Sequence, residues 1–136
     1  MENNSLSEIV ANKIFEFDNK KYELICFCIM PNHAHLLIDT MNYSPEGIEN
    51  GGTTKDYYLT DVLRLLKGNT SRKCNLFLNK KGTFWQAESY DHFVRDRKEL
   101  QRIINYILFN PVKANLCNKI DEWRWSYIKE GYNEFM

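Results

Sequence analysis

Nowhere does this chain run apolar for the roughly 18 residues that a membrane-spanning helix needs. Its 136 residues hold only three prolines and six glycines, and three of those glycines fall between residues 40 and 58. Cysteine is scarce in a second sense. Cys26, Cys28, Cys74 and Cys117 form neither a CxxC pair nor a zinc-finger spacing, which excludes the common thiolate zinc modules. The opening MENNSLSEIV lacks the basic-then-apolar layout of a secretory signal. These absences predict reduced thiols in a bacterial-type cytoplasm and no membrane partner. With 43% hydrophobic residues, the chain is long enough to bury one real core, so residues 1–136 are expected to form a single domain.

Net charge is zero, yet acid is missing from one region altogether. Residues 1–61 carry four Lys/Arg against ten Asp/Glu, whereas residues 62–113 carry eleven against four. Between 62 and 87 stand Arg64, Lys67, Arg72, Lys73, Lys80 and Lys81 with no acid among them, and Phe77, Phe84 and Trp85 lie alongside. Cations interleaved with aromatics suit a phosphate backbone carrying unstacked bases, and equally suit a solvated helix face. Arg95 and Lys113 are further candidate phosphate contacts, Arg95 with a local carboxylate as its alternative partner.

Periodicity sketches the elements. Leu6, Ile9, Val10 and Ile14 predict a helix over 5–15, capped by serine. KYELICFCIM (21–30) is apolar on both faces and predicts a buried strand, with Cys26 and Cys28 as core filler on one of them. Pro31-Asn32 turns the chain into a second strand over 33–39, making a hairpin. Residues 40–58 read as a flexible surface loop, 61–73 as a helix with Val62, Leu65 and Leu66 inward, and 84–94 as extended. Asp96 and Glu99 open a final helix over 97–109, whose Leu100, Ile103, Ile104, Ile107 and Leu108 make one core stripe. Pro111 is expected to end it.

Chemistry concentrates at two of these elements. His33 and His35 are two apart, so in a strand their imidazoles share a face and can bind one divalent ion. Asn110 lies one turn beyond Tyr106 on the same side of the last helix, and offers an oxygen to Mg2+ or Mn2+. Tyr106 is a potential nucleophile, and a metal that polarises a phosphate would compensate for a tyrosine's ordinary pKa near 10. Two imidazoles, an amide, a tyrosine and a basic surface together suit cleavage of a nucleic-acid phosphodiester. His92 and Trp85 read as a hydrogen-bonded structural histidine and a packing indole, with DNA contact as the alternative for each.

The stretches MPNHAHLLI (30–38), GTFWQ (82–86), SYDHFVRD (89–96), NYILFNPVKANL (105–116) and WRWSY (123–127) occur in an order that resembles the single-tyrosine HUH transposases, in particular the REP-associated tyrosine transposases. HxH alone is a weak signal; its combination with Tyr-Ile-x-x-Asn-Pro-Val-x-Ala is a strong one. The resemblance implies an α+β, ferredoxin-like antiparallel sheet with helices on one face. It places the nucleophile at Tyr106, the metal-binding histidines at His33 and His35, and a third ligand at Asn110. It implies Mg2+ or Mn2+ as cofactor and single-stranded or hairpin DNA as partner, cut through a covalent 5′-phosphotyrosine. Members act as monomers or exchange tyrosine helices in homodimers, and both remain open. The family's first strand has no counterpart ahead of the first helix here, so it is expected to be missing or supplied otherwise. A hairpin-DNA-binding remnant that no longer cuts is therefore a competing expectation, and a water-using metal hydrolase a third.

Overall fold

In the computed structural model, described for residues 4–40, 55–82 and 96–135, a three-stranded antiparallel sheet lies between two helical layers. Helix α1 (Asn4–Phe17) leads through a tight turn into strand β1 (Glu23–Ile29). That turn has reasons in its side chains. Asn19 takes a left-handed φ of 65°, a conformation that asparagine tolerates better than most residues. Asp18 Oδ1 accepts from the Leu24 N–H at 2.8 Å, and the buried Tyr22 hydroxyl donates to the Ile14 carbonyl at 2.7 Å.

Strand β1 pairs with β2 (Ala34–Asp39) through the Pro31-Asn32 turn, which the Met30 N–H closes by donating to the His33 carbonyl at 2.7 Å. On its other side β1 pairs with a short C-terminal strand, β3 (Ser126–Ile128), giving the order β2-β1-β3. Central position explains why β1 is apolar on both faces. Leu24, Phe27 and Ile29 face α1 and helix α2 (Lys55–Leu78). Ile25, Cys26, Cys28 and Met30 face helix α3 (Arg97–Lys113). The register shifts between Leu24 and Cys26, and this irregularity lets the neighbours Ile25 and Cys26 join the same cluster. Burial pushes the Cys26 thiol up to about 12 and raises that of Cys28, so both are packing groups.

Several expectations are corrected here. The α+β class and the antiparallel hairpin hold, but the helices do not share one face: α1 and α2 cover one side of the sheet and α3 the other. Because β1 is apolar on both faces, it requires a layer on each side. The loop expected over 40–58 is helical from Lys55, and the helix expected over 61–73 extends to Leu78. Its inward positions are Val62, Leu66, Thr70 and Cys74, spaced by four, whereas Leu65 is 47% exposed. Residues 41–54 and 83–95 lie outside the described residues, and with them most of the expected loop, the extended segment 84–94, Trp85, His92 and Arg95. Among the described residues no strand precedes α1, and no strand pairs with the outer side of β2. None of their helices is long and apolar enough to cross a membrane.

Pro111 does not end α3, which runs on to Lys113. A proline this close to the C-terminus removes one backbone donor in a turn where the ladder is about to finish, so the cost is small. The stop comes four residues later. Asn115 adopts a left-handed φ of 60°. Its N–H donates to the Val112 carbonyl at 3.0 Å, and the Leu116 N–H donates to the Pro111 carbonyl at 2.9 Å. These two bonds are the pair of a Schellman cap.

The start of α3 is set by Asp96, whose Oδ1 accepts from the Glu99 N–H at 2.9 Å. Asp96→Ala is expected to lower unfolding free energy by about 1 kcal/mol in urea titrations, with Asp96→Ser recovering most of it. Equal loss in both variants would show that the cap is not what holds this end.

Candidate functional site

Strand β2 alternates. Ala34, Leu36 and Ile38 pack toward α1 and α2, while His35 and Leu37 point toward α3. Buried Leu37 anchors that second face beneath Ile104, Ile107 and Leu108 of α3. The same packing fixes the rotation of α3, and so sets where its half-exposed positions lie. Tyr106 and Asn110 come to rest over the histidines.

The resulting distances are short. The His33 and His35 rings stand edge-on with centroids 4.9 Å apart. His35 and Tyr106 meet in the same manner at 5.5 Å. Asn110 Nδ2 lies 3.0 Å from His35 Nε2, a hydrogen bond between β2 and α3. One turn further along, the Lys113 ammonium sits 5.8 Å from the centre of the Tyr106 ring. Tyr106 itself is 53% exposed, so the side chain is open to solvent.

Hydrogen bonding decides the tautomers. His33 Nδ1 is 2.6 Å from Asn32 Oδ1, and because that oxygen can only accept, Nδ1 carries the proton and Nε2 keeps its lone pair. His35 Nε2 accepts from the Asn110 amide, so its proton also sits on Nδ1. Burial lowers the pKa of both imidazoles, and for His35 the neighbouring His33 adds to the effect. Both rings are therefore neutral at neutral pH, the form that ligates metal.

This donor set fits a small divalent cation. Two ligands at right angles around an ion with bonds of about 2.1 Å are roughly 3 Å apart, which is the separation of His35 Nε2 and the Asn110 amide. Turning that amide over puts Oδ1 where Nδ2 now lies, converting the hydrogen bond into a second ligand position. Among the described residues no group of three or more His, Cys, Asp and Glu side chains could hold a metal; the neutral Asn110 amide is the side chain that stands beside His35 as a further donor.

The other sequence candidates fall elsewhere. Arg64, Lys67, Arg72 and Lys73 lie on α2, and Lys80 and Lys81 just beyond it, in the layer on the far side of the sheet from Tyr106. Arg64 is engaged with Asp61 at 3.5 Å. Lys113 alone among the described cationic candidates adjoins the tyrosine. Two supporting residues escaped notice in the sequence. Asn32 read only as a turn former, although an amide next to an HxH pair can fix the tautomer of the first imidazole. Trp123 read only as aromatic packing, yet its indole N–H donates to the Ile29 carbonyl at 3.0 Å and braces the strand end that carries the turn.

Comparison with known proteins adds an independent observation. A Haemophilus influenzae protein provisionally assigned as a REP-associated tyrosine transposase is 29% identical over 110 residues, covering 77% of this chain and 58% of the relative. The REP-associated tyrosine transposase of Escherichia coli K12 is 22% identical over 108 residues, covering 79% of this chain and 55% of the relative. The chain thus spans little more than half the length of the curated relatives it matches. No family model and no solved structure matches it. Motif order and these two similarities agree: this chain is similar to the REP-associated tyrosine transposases.

Proposed function

We propose that this protein is a DNA transposase that nicks and rejoins single-stranded or hairpin DNA through Tyr106, with Mg2+ or Mn2+ held by His33, His35 and Asn110. The observation that carries the reading is the seating of the Tyr106 ring against His35, itself bonded to Asn110. The Tyr106 hydroxyl oxygen attacks a phosphodiester, the P–O3′ bond breaks, and the strand leaves with a free 3′-hydroxyl. The 5′-phosphate stays on the tyrosine as an ester, so a 3′-hydroxyl attacking later reverses the step without ATP. A divalent cation bound by the histidines and the amide would polarise the phosphate and stabilise charge building on its oxygens. Lys113, beside the ring, is positioned to neutralise the same phosphate.

A second reading has one observation in its favour. Among the described residues the outer side of β2 has no paired strand, and β2 is the strand that presents His35. A sheet unsupported there would let the histidines drift from Tyr106, leaving a protein that binds hairpin DNA without cutting it.

The two readings part on one gel. Incubated with labelled hairpin-bearing single-stranded DNA and Mn2+, the protein is expected to yield an adduct that survives denaturation, and Tyr106→Phe to yield none. Binding without any adduct would favour the remnant. Cleavage by Tyr106→Phe without an adduct would favour hydrolysis by water.

Acidity tests the ligand set. The imidazoles have pKa values lowered below the free value of about 6.5, so protons compete for them only on the acid side of that value. Mn2+ affinity by calorimetry is expected to stay nearly level from about pH 8 to about 6.5 and to fall below it. In the metal-free protein the sign is the same. The unfolded chain binds protons first, so stability at higher pH is lost as pH drops through this window. His35→Ala should cost Mn2+ affinity at least roughly tenfold at neutral pH; an unchanged affinity would remove His35 from the site.

A further inference from the structure

Away from the tyrosine, α1 and β3 enclose a cleft of about 330 Å3. Its floor is a contiguous set of rings. Phe15 meets Phe27 at 5.3 Å and Tyr127 at 4.9 Å, both edge-on, and Phe27 stacks on Tyr127 at 5.7 Å. Phe15 lines the cleft and is 43% exposed. The far wall is the Arg124 guanidinium lying over the Trp125 indole, 4.6 Å from its centre. That indole is tethered to α1, its N–H donating to Asn4 Oδ1 at 3.2 Å. The rim carries Glu8 and Asn12, one helical turn apart on α1.

We infer that this cleft holds one unpaired nucleobase of the bound DNA strand, stacked against Phe15 and Arg124, and reads its edge with Glu8 and Asn12. The inference rests on the strand-transfer reading. Aromatic faces and guanidinium planes together are the usual platform for a splayed base, and the volume suits a single one. A carboxylate at the rim repels phosphate but accepts from an exocyclic amine. Glu8 therefore favours cytosine, adenine or guanine over thymine, and Asn12 can supply the complementary donor. Position supports a link with cleavage. The Trp125 carbonyl accepts from the Ile29 N–H at 2.8 Å, and the next residue, Met30, donates to His33, so the cleft opens at the end of the sheet that carries the histidine turn. The cleft lies on the α1 side of the sheet and Tyr106 on the α3 side, so a strand cut at Tyr106 has to round this end of the sheet to seat a flanking base here.

The test compares a blunt hairpin oligonucleotide with the same hairpin carrying single-stranded flanks, by fluorescence anisotropy without metal. Arg124→Ala is expected to weaken the flanked form roughly tenfold and to leave the blunt form unchanged. Glu8→Ala, which removes the acceptor, is expected to erase a preference for flanks containing an amino-bearing base over all-thymine flanks. Equal weakening of both hairpins by Arg124→Ala would overturn the inference, because Arg124 would then be a general phosphate contact. For the unaltered protein, irradiating a complex with 5-iodocytosine in the flank should crosslink Phe15, Trp125 or Tyr127, located by mass spectrometry. Crosslinks confined to other residues would overturn it. A wild-type protein that forms the Tyr106 adduct yet binds both hairpins equally loses the cleft and keeps strand transfer; one that neither binds nor forms an adduct loses both.

Discussion

The packing of α3 against one face of the sheet is the constraint from which the site follows. Ile104, Ile107 and Leu108 are almost wholly buried against Ile25, Cys26, Cys28 and Leu37. Each such side chain contributes about 1.5–3 kcal/mol by leaving water, roughly twice the net worth of a typical hydrogen bond. Rotation of the helix is thus decided by apolar burial, and the positions of Tyr106 and Asn110 are consequences of it. The His35–Asn110 bond reports that alignment rather than creating it.

Two faces of one strand pair then serve different ends. On the α1 side, Ala34, Leu36 and Ile38 complete a core with no polar function. On the α3 side, Leu37 supplies burial while His35, two residues earlier, stays half-exposed at the sheet margin. Period-two alternation places an imidazole and an anchor on one surface without requiring either to be solvated like the other. Neutral imidazoles are compatible with this half-buried setting in a way that carboxylates are not. The donors on this surface are therefore uncharged, and in the proposed site they would leave the charge of a cation to act on phosphate.

Much of this was legible in the sequence because it depends on short-range pattern. The stripe from Leu100 to Leu108 gave the orientation of α3, and HxH in a β context gave a shared face for the imidazoles. The turn at Pro31-Asn32 and the cap at Asp96 were local signals as well. What was not legible depends on packing partners distant in sequence. The two apolar faces of β1 are visible locally, but nothing local reveals that β3 arrives from residues 126–128 to make β1 central, or which helix covers which face. Pro111 was expected to end α3 by disfavouring the helical state of the residue before it, whereas Asn110 stays helical and the Pro111 carbonyl accepts from Leu116 in the cap beyond. The basic run from Arg64 to Lys81 lies between the histidines and Tyr106 along the chain, and tertiary structure sets its helix on the opposite layer from the candidate site. The relatives at 29% and 22% identity agree with the motif reading, which is where sequence information is densest.

The central claim is that one cation can be held by two imidazoles beside the Tyr106 ring. Its most direct measurement is pulsed electron paramagnetic resonance of Mn2+ added to the protein at neutral pH. The account predicts modulation from two imidazole nitrogens, reduced to one in His33→Ala or His35→Ala and kept at two in Tyr106→Phe. A spectrum indistinguishable from hydrated Mn2+, or one unaffected by either histidine substitution, would contradict it.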